Sequence, residues 1–307
     1  MPKFSVIIPC YNAAATLPDT LASLRAQTCP EWEAICIDDG STDNTRAILR
    51  AAAQADPRIR WCPNPGKGPS AARNHGALHM AAGAVVAFLD ADDLWVPERL
   101  ARLNHAFADR SLAASYARIA FFRDRPRDAT VFSTVPAGDL SVPRLLGENP
   151  VCTMSNIAVR RPVFAATGGF EETLVHNEDL EWLIRLVGCG HRVAAINAVL
   201  VHYRTSAAGL SADLGAMAQG RQAALATAGR LGFTPRRRDE AIHLRYLARR
   251  ALRLQAGRLV ALRLTLAGLR ASPAGFLSDP RRGGLTALAA LATPILPRRL
   301  SGALFAR

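Results

Sequence analysis

The sequence predicts an α/β fold built on a mainly parallel sheet, followed by a helical C-terminal extension. Through the first hundred residues, short apolar runs rich in β-formers alternate with stretches of helical spacing, the pattern of successive βαβ units. After Ser206 the composition turns to Ala, Leu and Arg with few strand formers. The chain has 307 residues, 50% of them hydrophobic and 21% charged, which suffices for a large core and excludes a disordered chain.

Charge separates the same two regions. The formal net charge is +13, yet residues 1–206 carry 21 Lys+Arg against 21 Asp+Glu, while residues 207–307 carry 17 against 4. Any polyanionic partner would therefore meet the second region only. We accordingly expect a first domain over residues 1–206 and a basic, mainly α-helical segment over 207–307. The six cysteines form no C-x-x-C pair and no zinc-site spacing, so reduced thiols are expected. The first apolar run, residues 4–8, is too short for a signal-peptide core. No stretch approaches the ~20 apolar residues of a membrane-spanning helix; residues 285–296 come nearest and contain Pro294.

Strands are expected at residues 4–8, 33–37, 59–62 and 85–89. Between them, Leu17, Leu21 and Leu24 share one helix face, and residues 45–54 and 70–82 have similar spacing. Thr42-Asp43-Asn44 and Pro69-Ser70 supply capping chemistry for the latter two helices. Right-handed crossovers leave ligands beyond the carboxyl ends of such strands. Three polar clusters fall there: Pro9-Cys10-Tyr11-Asn12, Asp38-Asp39-Gly40-Ser41 and Asp90-Ala91-Asp92-Asp93. Their convergence on one rim predicts a site. Residues 113–206 mix short strand-like runs with loops and one clear helix over 179–187, with Asn177 as its N-cap and acids in its first turn. Residues 240–269 have the spacing of an amphipathic basic helix, with Arg245, Arg249 and Arg253 along one face.

The acidic run at 90–93 carries the strongest chemical signal. Carboxylates packed at a strand end repel one another unless a cation neutralises them, and hard divalent ions suit one or two carboxylates completed by phosphate oxygens. Taken alone, an acidic turn capping the next helix explains the run equally well. In the cluster at 37–45, Gly40 permits a sharp turn and leaves Asp39 to accept hydrogen bonds from a base or ribose, whereas Thr42 and Asp43 read as caps.

The segments S-V-I-I-P-C-Y-N (5–12), I-D-D-G-S-T-D-N-T (37–45), G-P-S-A-A-R-N-H-G-A (68–77), F-L-D-A-D-D-L-W-V-P (88–97) and N-E-D-L-E-W-L-I-R-L (177–186) together resemble family 2 glycosyltransferases of the GT-A fold. The resemblance covers residues 4–204. It implies a Rossmann-like sheet flanked by helices, with Pro9, Tyr11 and Asn12 packing a nucleotide base and Asp39 bonding the ring edge or ribose. It places Arg73 and Asn74 near the base and phosphates. Asp90 and Asp92 become a D-x-D pair for Mn²⁺ or Mg²⁺, with Asp92 the direct ligand. Glu178-Asp179 matches an acidic pair beside the acceptor, with Asp179 the general base. The implied reaction is an inverting transfer from a nucleotide sugar, UDP-linked by resemblance, to a hydroxyl of a glycan or lipid-linked acceptor in cell-envelope polysaccharide synthesis.

A noncatalytic nucleotide-sugar-binding or assembly protein of the same fold stays open as an alternative. So does a nucleotidyltransferase, although Gly66-Lys67-Gly68 is a poor stand-in for its phosphate loop. For the basic segment two compatible roles are expected: contact with an anionic membrane surface through residues 240–307, and packing on the catalytic domain. Nucleic acid is not an expected partner, because aromatic interleaving and a binding motif are both missing. The expected location is cytoplasmic, peripheral on the inner face of the cell membrane.

Overall fold

In the computed structural model, which describes residues 2–205, 214–257 and 259–294, the chain runs β1 (Phe4–Cys10), α1 (Leu17–Arg25), β2 (Trp32–Asp38), α2 (Thr45–Ala55), β3 (Ile59–Pro63) and α3 (Gly68–Asn74). It continues through β4 (Val85–Phe88), β5 (Leu94–Trp95), α4 (Arg99–Ala106), β6 (Leu112–Phe122), β7 (Val131–Phe132), α5 (Val142–Gly147), β8 (Ala158–Arg160), α6 (Arg161–Ala166), α7 (Glu178–Gly188) and β9 (Arg192–Arg204). The helices α8 (Leu214–Arg230), α9 (Arg237–Leu254), α10 (Val260–Ala271), α11 (Pro273–Phe276) and α12 (Pro280–Ala292) follow.

The strands join one mixed sheet in the order β3-β2-β1-β4-β8-β6-β9-β5, with β7 on β6. β3, β2, β1 and β4 are parallel neighbours, whereas β8 runs antiparallel to both β4 and β6. β1, β2 and β4 are largely apolar and buried almost throughout, as central parallel strands must be, with Ser5, Glu33 and Asp38 the buried polar exceptions. Because β1 lies between β2 and β4, the chain leaves it in both directions, and in open α/β sheets ligands bind beyond the carboxyl ends of the strands at such a switch point.

Packing on the two sheet faces fixes the flanking helices. On one face Leu17, Leu21 and Leu24 of α1 join Val6 and Ile8 in the core. Elsewhere Phe88, Phe164, Phe170 and Trp182 form an aromatic cluster with ring centroids 5.3–5.5 Å apart. Trp182 is fully buried and donates from Nε1 to Thr167 Oγ1 at 3.0 Å, which fixes α7 against the sheet. α3 starts two residues earlier than its spacing predicts, with Pro69 in its first turn, and gives way to a π-helical turn over His75–Met80. This stretch passes so close to β1 that a Cβ on Gly76 would lie 2.6 Å from Ile7 Cγ2.

The chain divides into two compact units. One is Met1–Leu140 with Pro150–Ser206; the other is Ser141–Asn149 with Ala207–Arg307. The short excursion 141–149, which carries α5, thus belongs with the C-terminal helices. Val142, Leu145 and Leu146 of α5 are buried. Arg221 of α8 donates to Leu146 O at 3.1 Å and pairs with Glu240 at 3.0 Å.

The helix expected over 240–269 is two helices. α9 ends at Gln255, which has φ 51°, Gly257 follows with φ 121°, and α10 starts at Val260. Two left-handed residues so close together cannot continue a helix. The expected outward arginine face does not form either. Arg245 is 4% exposed and donates to Phe276 O and Ser278 Oγ, both at 3.1 Å, with Glu148 Oε2 at 3.4 Å. Burial, with help from Arg253 and Arg282, lowers the Arg249 pKa to about 10. Of the three, only Arg253 is exposed. No helix among the described residues is long and apolar enough to cross a membrane.

Removing residues 207–307 should leave the apolar face of α5 uncovered. A chain ending at residue 206 is expected to aggregate or bind a hydrophobic dye, and changing Leu145 and Leu146 to Ser in that chain should restore solubility. Size-exclusion recovery and dye fluorescence read both effects.

Candidate active site

Beyond β2 and β3, Asp39 organises the first half of the rim. Its carboxylate accepts the Asn64 side-chain amide at 2.7 Å and the Gly68 N–H at 3.0 and 3.1 Å. Lys67 Nζ donates to Asp39 O at 2.9 Å and sits 5.1 Å from the Tyr11 ring centroid. Lys67 and Gly68 are therefore committed to Asp39, and the Gly66 N–H goes to Asn64 Oδ1 at 3.1 Å. Tyr11 is 59% exposed at the end of β1, an unusual position for a large aromatic ring. Asn12 adopts φ 48°, and its Oδ1 accepts the Thr42 N–H at 2.8 Å, tying the loop after β1 to the loop after β2. Pro9 is partly buried within β1, paired in register with Ile37.

α3 carries the rim across to its second half. Its first residue, Gly68, is held by Asp39, and Arg73 follows five residues later, about 7.5 Å along the axis. The Arg73 side chain is 6% exposed. Its Nη2 donates to Asp90 Oδ1 at 2.6 Å and its Nη1 to Glu178 Oε1 at 3.1 Å. Burial works against the guanidinium charge, but Asp90, Glu178 and Asp179 outweigh it and leave the pKa raised. Arg73 was expected at the base and phosphates; here it joins the acidic turn after β4 to the acidic start of α7.

Asn74, expected beside the same ligand, is 6% exposed and fully engaged. Its Nδ2 donates to Phe170 O and Glu172 Oε1, both at 2.9 Å, and its Oδ1 accepts the Phe170 N–H at 2.8 Å. It clamps the loop after Gly168-Gly169, and the clamp explains Gly169, where a Cβ would lie 2.4 Å from Asn74 Oδ1.

The acidic turn is held from several sides by groups that motif spacing does not mark. Thr20 Oγ1, on α1, reaches both Ala91 O and Asp93 O at 3.0 Å. Ser155 Oγ accepts the Asp90 N–H at 2.9 Å, and Thr153 Oγ1 approaches Asp90 Oδ2 at 3.3 Å. Arg204, at the end of β9, donates its backbone N–H to Asp93 Oδ1 at 2.9 Å and its Nε–H to Asp92 O at 3.0 Å. Asp93 is 1% exposed, and burial followed by the charges of Asp92 and Asp90 pushes its pKa well up. The carboxyl of Asp92 keeps some exposure; burial and the Asp90 charge raise its pKa to about 6.

Arg204 and Arg73 offset only part of this rise in the Asp92 pKa. Among the described residues no group of three His, Cys, Asp or Glu side chains is set to cage an ion. Mg²⁺ and Mn²⁺ do not need one: they retain waters and take one or two carboxylates plus phosphate oxygens. Asp92 with Asp90 fits such an ion.

Glu178 and Asp179 open α7 after Asn177, which stands at the N-cap position with φ 59° and ψ 22° and makes no side-chain capping bond. Asp179 retains part of its surface, yet its surroundings desolvate it. Burial first, then the Glu178 charge, raises its pKa to about 7. A carboxylate tuned to neutrality can take a proton at physiological pH. Glu181, by contrast, is paired with Arg185 at 2.6 Å, and Trp182 belongs to the core.

These features match a known family. Residues 5–168 match the model of Glycosyl transferase family 2. The chain is 30% identical over 220 residues to the Escherichia coli UDP-Glc:alpha-D-GlcNAc-diphosphoundecaprenol beta-1,3-glucosyltransferase WfaP, covering 69% of this chain and 81% of that protein. It is 41% identical over 97 residues to the E. coli enzyme of the same description, WfgD, covering 31% of this chain and 37% of that protein. Three of the curated relatives it matches, WfgD among them, are spanned over only 46%, 33% and 37% of their length. Among solved structures, S. aureus TarS 1-349 in complex with UDP-GlcNAc superposes with a TM-score of 0.63 at 18% identity, over 98% of this chain and 90% of that one. The mannosyltransferase PcManGT from Pyrobaculum calidifontis, in complex with GDP-Man and Mn²⁺, gives 0.59 at 22% identity, over 99% and 87%. The chain belongs to glycosyl transferase family 2, and its fold is GT-A with a helical C-terminal region.

Replacing Arg73 with Met should leave Asp90 and Glu178 as partly buried, unpaired carboxylates. The expected loss is about 3–5 kcal/mol of stability, read as a lower urea midpoint with an unchanged slope.

Proposed function

We propose that the protein is an inverting glycosyltransferase that moves a sugar from a nucleoside-diphosphate sugar, UDP-linked, to a hydroxyl of a glycan or lipid-linked acceptor in envelope polysaccharide synthesis. The observation that carries this reading is the Arg73 bridge, which brings a desolvated acidic turn and a near-neutral carboxyl to one rim. A binding module gains nothing from a carboxyl whose pKa is raised to about 7. The names of WfaP and WfgD describe glucosyl transfer to a lipid-diphosphate sugar, which supports the same acceptor class here.

In this reading Tyr11 and Pro9 offer the base a flat apolar support, and Asp39 takes the ring edge or ribose. Asn12 and Asn74 set the loops around the donor through the bonds already described. Asp90 and Asp92 would hold a divalent ion, Mn²⁺ or Mg²⁺, whose charge stabilises the departing diphosphate. Asp179 accepts the proton of the acceptor hydroxyl as that oxygen attacks the anomeric carbon. Glu178, pinned by Arg73, keeps the neighbouring charge that raises the Asp179 pKa. With one base and attack opposite the leaving group, no covalent sugar intermediate is required and the anomeric configuration inverts.

The Asp179→Asn variant should lose about 10²–10⁴-fold in turnover while retaining metal-dependent nucleotide binding. Normal turnover would remove Asp179 as the base. Asp92→Ala should instead weaken Mn²⁺-dependent nucleotide binding, followed by calorimetry; unchanged affinity would remove the ion site.

The pH profile follows from sign. Asp179 must be ionised to act, and its pKa stands at about 7. Hence kcat/KM should fall as pH drops through that value. Glu178→Gln removes a charge that raises this pKa, so the acid limb should move to lower pH.

A further inference from the structure

Helices α10 and α12 reverse the ordinary pattern of a soluble helix, which hides its large apolar side chains and shows polar ones to water. Their inward faces carry small residues: Ala261, Thr265 and Gly268 on α10, Gly283, Thr286 and Ala290 on α12. Close packing requires them. A Cβ on Gly268 would lie 2.5 Å from the Phe276 ring, and one on Gly283 would lie 2.5 Å from Phe276 O. Leu264 packs on the small helical core, and several other leucines consequently face out. Leu259 and Leu266 are about half exposed, and Leu285, Leu288 and Leu291 are 60%, 66% and 56% exposed.

Arginines share these outer stripes. Leu259, Arg263, Leu266 and Arg270 follow at helical spacing and are all exposed; Arg281, Leu285, Leu288 and Leu291 do the same on α12. The one acid between residues 259 and 294 is Asp279, which caps α12 and pairs with Arg282 at 3.3 Å. Residues 295–307 add Arg298, Arg299 and Arg307 and no acid.

We propose that the outer faces of α10 and α12 dock on a bilayer carrying anionic headgroups. Charge decides among the occupants. A second copy of this chain would set arginine stripes against arginine stripes with no acid to answer them. An anionic bilayer satisfies both components: the leucines enter the boundary of the acyl region, and the guanidiniums stay at phosphate level on apolar stems. The surface differs from the arginine face that the sequence suggests, since Arg245 is inside the helical unit. Such docking does not depend on sugar transfer, but it would hold the protein where lipid-borne acceptors lie.

Flotation of the full chain with vesicles tests it, using phosphatidylcholine alone or mixed with phosphatidylglycerol. The chain should float with the anionic vesicles at low salt and remain behind with the neutral ones. L285S/L288S should lower the bound-to-free ratio at least about tenfold, with the wild-type circular dichroism and melting temperature, since both side chains are solvent-facing. R263E/R270E/R281E should abolish the preference for anionic lipid. Wild-type protein that stays at the bottom with anionic vesicles overturns the proposal. So does an L285S/L288S variant that floats as well as wild type, or one whose sole change is the dissociation of an oligomer in sedimentation velocity. Failure of the glycosyl-transfer reading would show in vesicle-free donor hydrolysis and leave flotation untouched.

Discussion

One buried guanidinium holds the site together. Arg73 pairs with Asp90 on one side and Glu178 on the other, and Asp179 lies within its field. Without a cation among them, carboxylates gathered at this rim would repel one another and lose the benefit of solvation. With Arg73 in place the cluster divides. Arg73 pairs directly with Asp90 and Glu178, while burial first, and then the charges of Asp90 and Glu178, raise the pKa values of Asp92 and Asp179 to about 6 and about 7. On the proposed reading, this division suits one carboxyl to an ion and another to a proton. Arg73 can do this because α3 runs close over β1, an approach that Gly76 permits, and starts where Asp39 captures the Gly68 N–H.

Around this charge network stands a second set of groups whose work is mechanical. Trp182 locks the first turns of α7 into an aromatic cluster, so Glu178 and Asp179 cannot drift from Arg73. Thr20, Ser155 and Arg204 hold the backbone of the acidic turn from three different elements. Asn74 does the same for the loop after Gly169. A site that discriminates between a ground state and a transition state depends on such restraint, because a small misplacement of a charged group forfeits much of its effect.

Much of this was legible in the residues themselves. Apolar runs marked β1 to β4, helical spacing marked α1 and α2, and the polar clusters after the strands located the rim. The Arg73–Glu178 bond was not legible, because it joins side chains 105 residues apart and neither carries a local sign of the other. Thr20 and Ser155 were hidden for the same reason. Periodicity also misplaced the basic face of the C-terminal helices. It identifies a stripe but not which side of it turns inward, and here small residues supply the fully buried positions of α10 and α12. The break at Gln255 gave little warning, since a single Gln adopting φ 51° leaves no compositional trace. The excursion of α5 into the helical unit is likewise a tertiary fact, recorded in Val142, Leu145 and Leu146 only once their partners are known.

Asp90 and Glu178, distant in sequence, are joined energetically through Arg73. A double-mutant cycle of Asp90→Asn and Glu178→Gln, with stability from urea denaturation, measures that link directly. With Arg73 intact the two changes should be non-additive by about 1 kcal/mol or more, and the coupling should change by a similar amount when the cycle is repeated with Arg73→Met, where only the direct repulsion of the two carboxylates is left. Effects that add to within about 0.3–0.5 kcal/mol with Arg73 intact would contradict it.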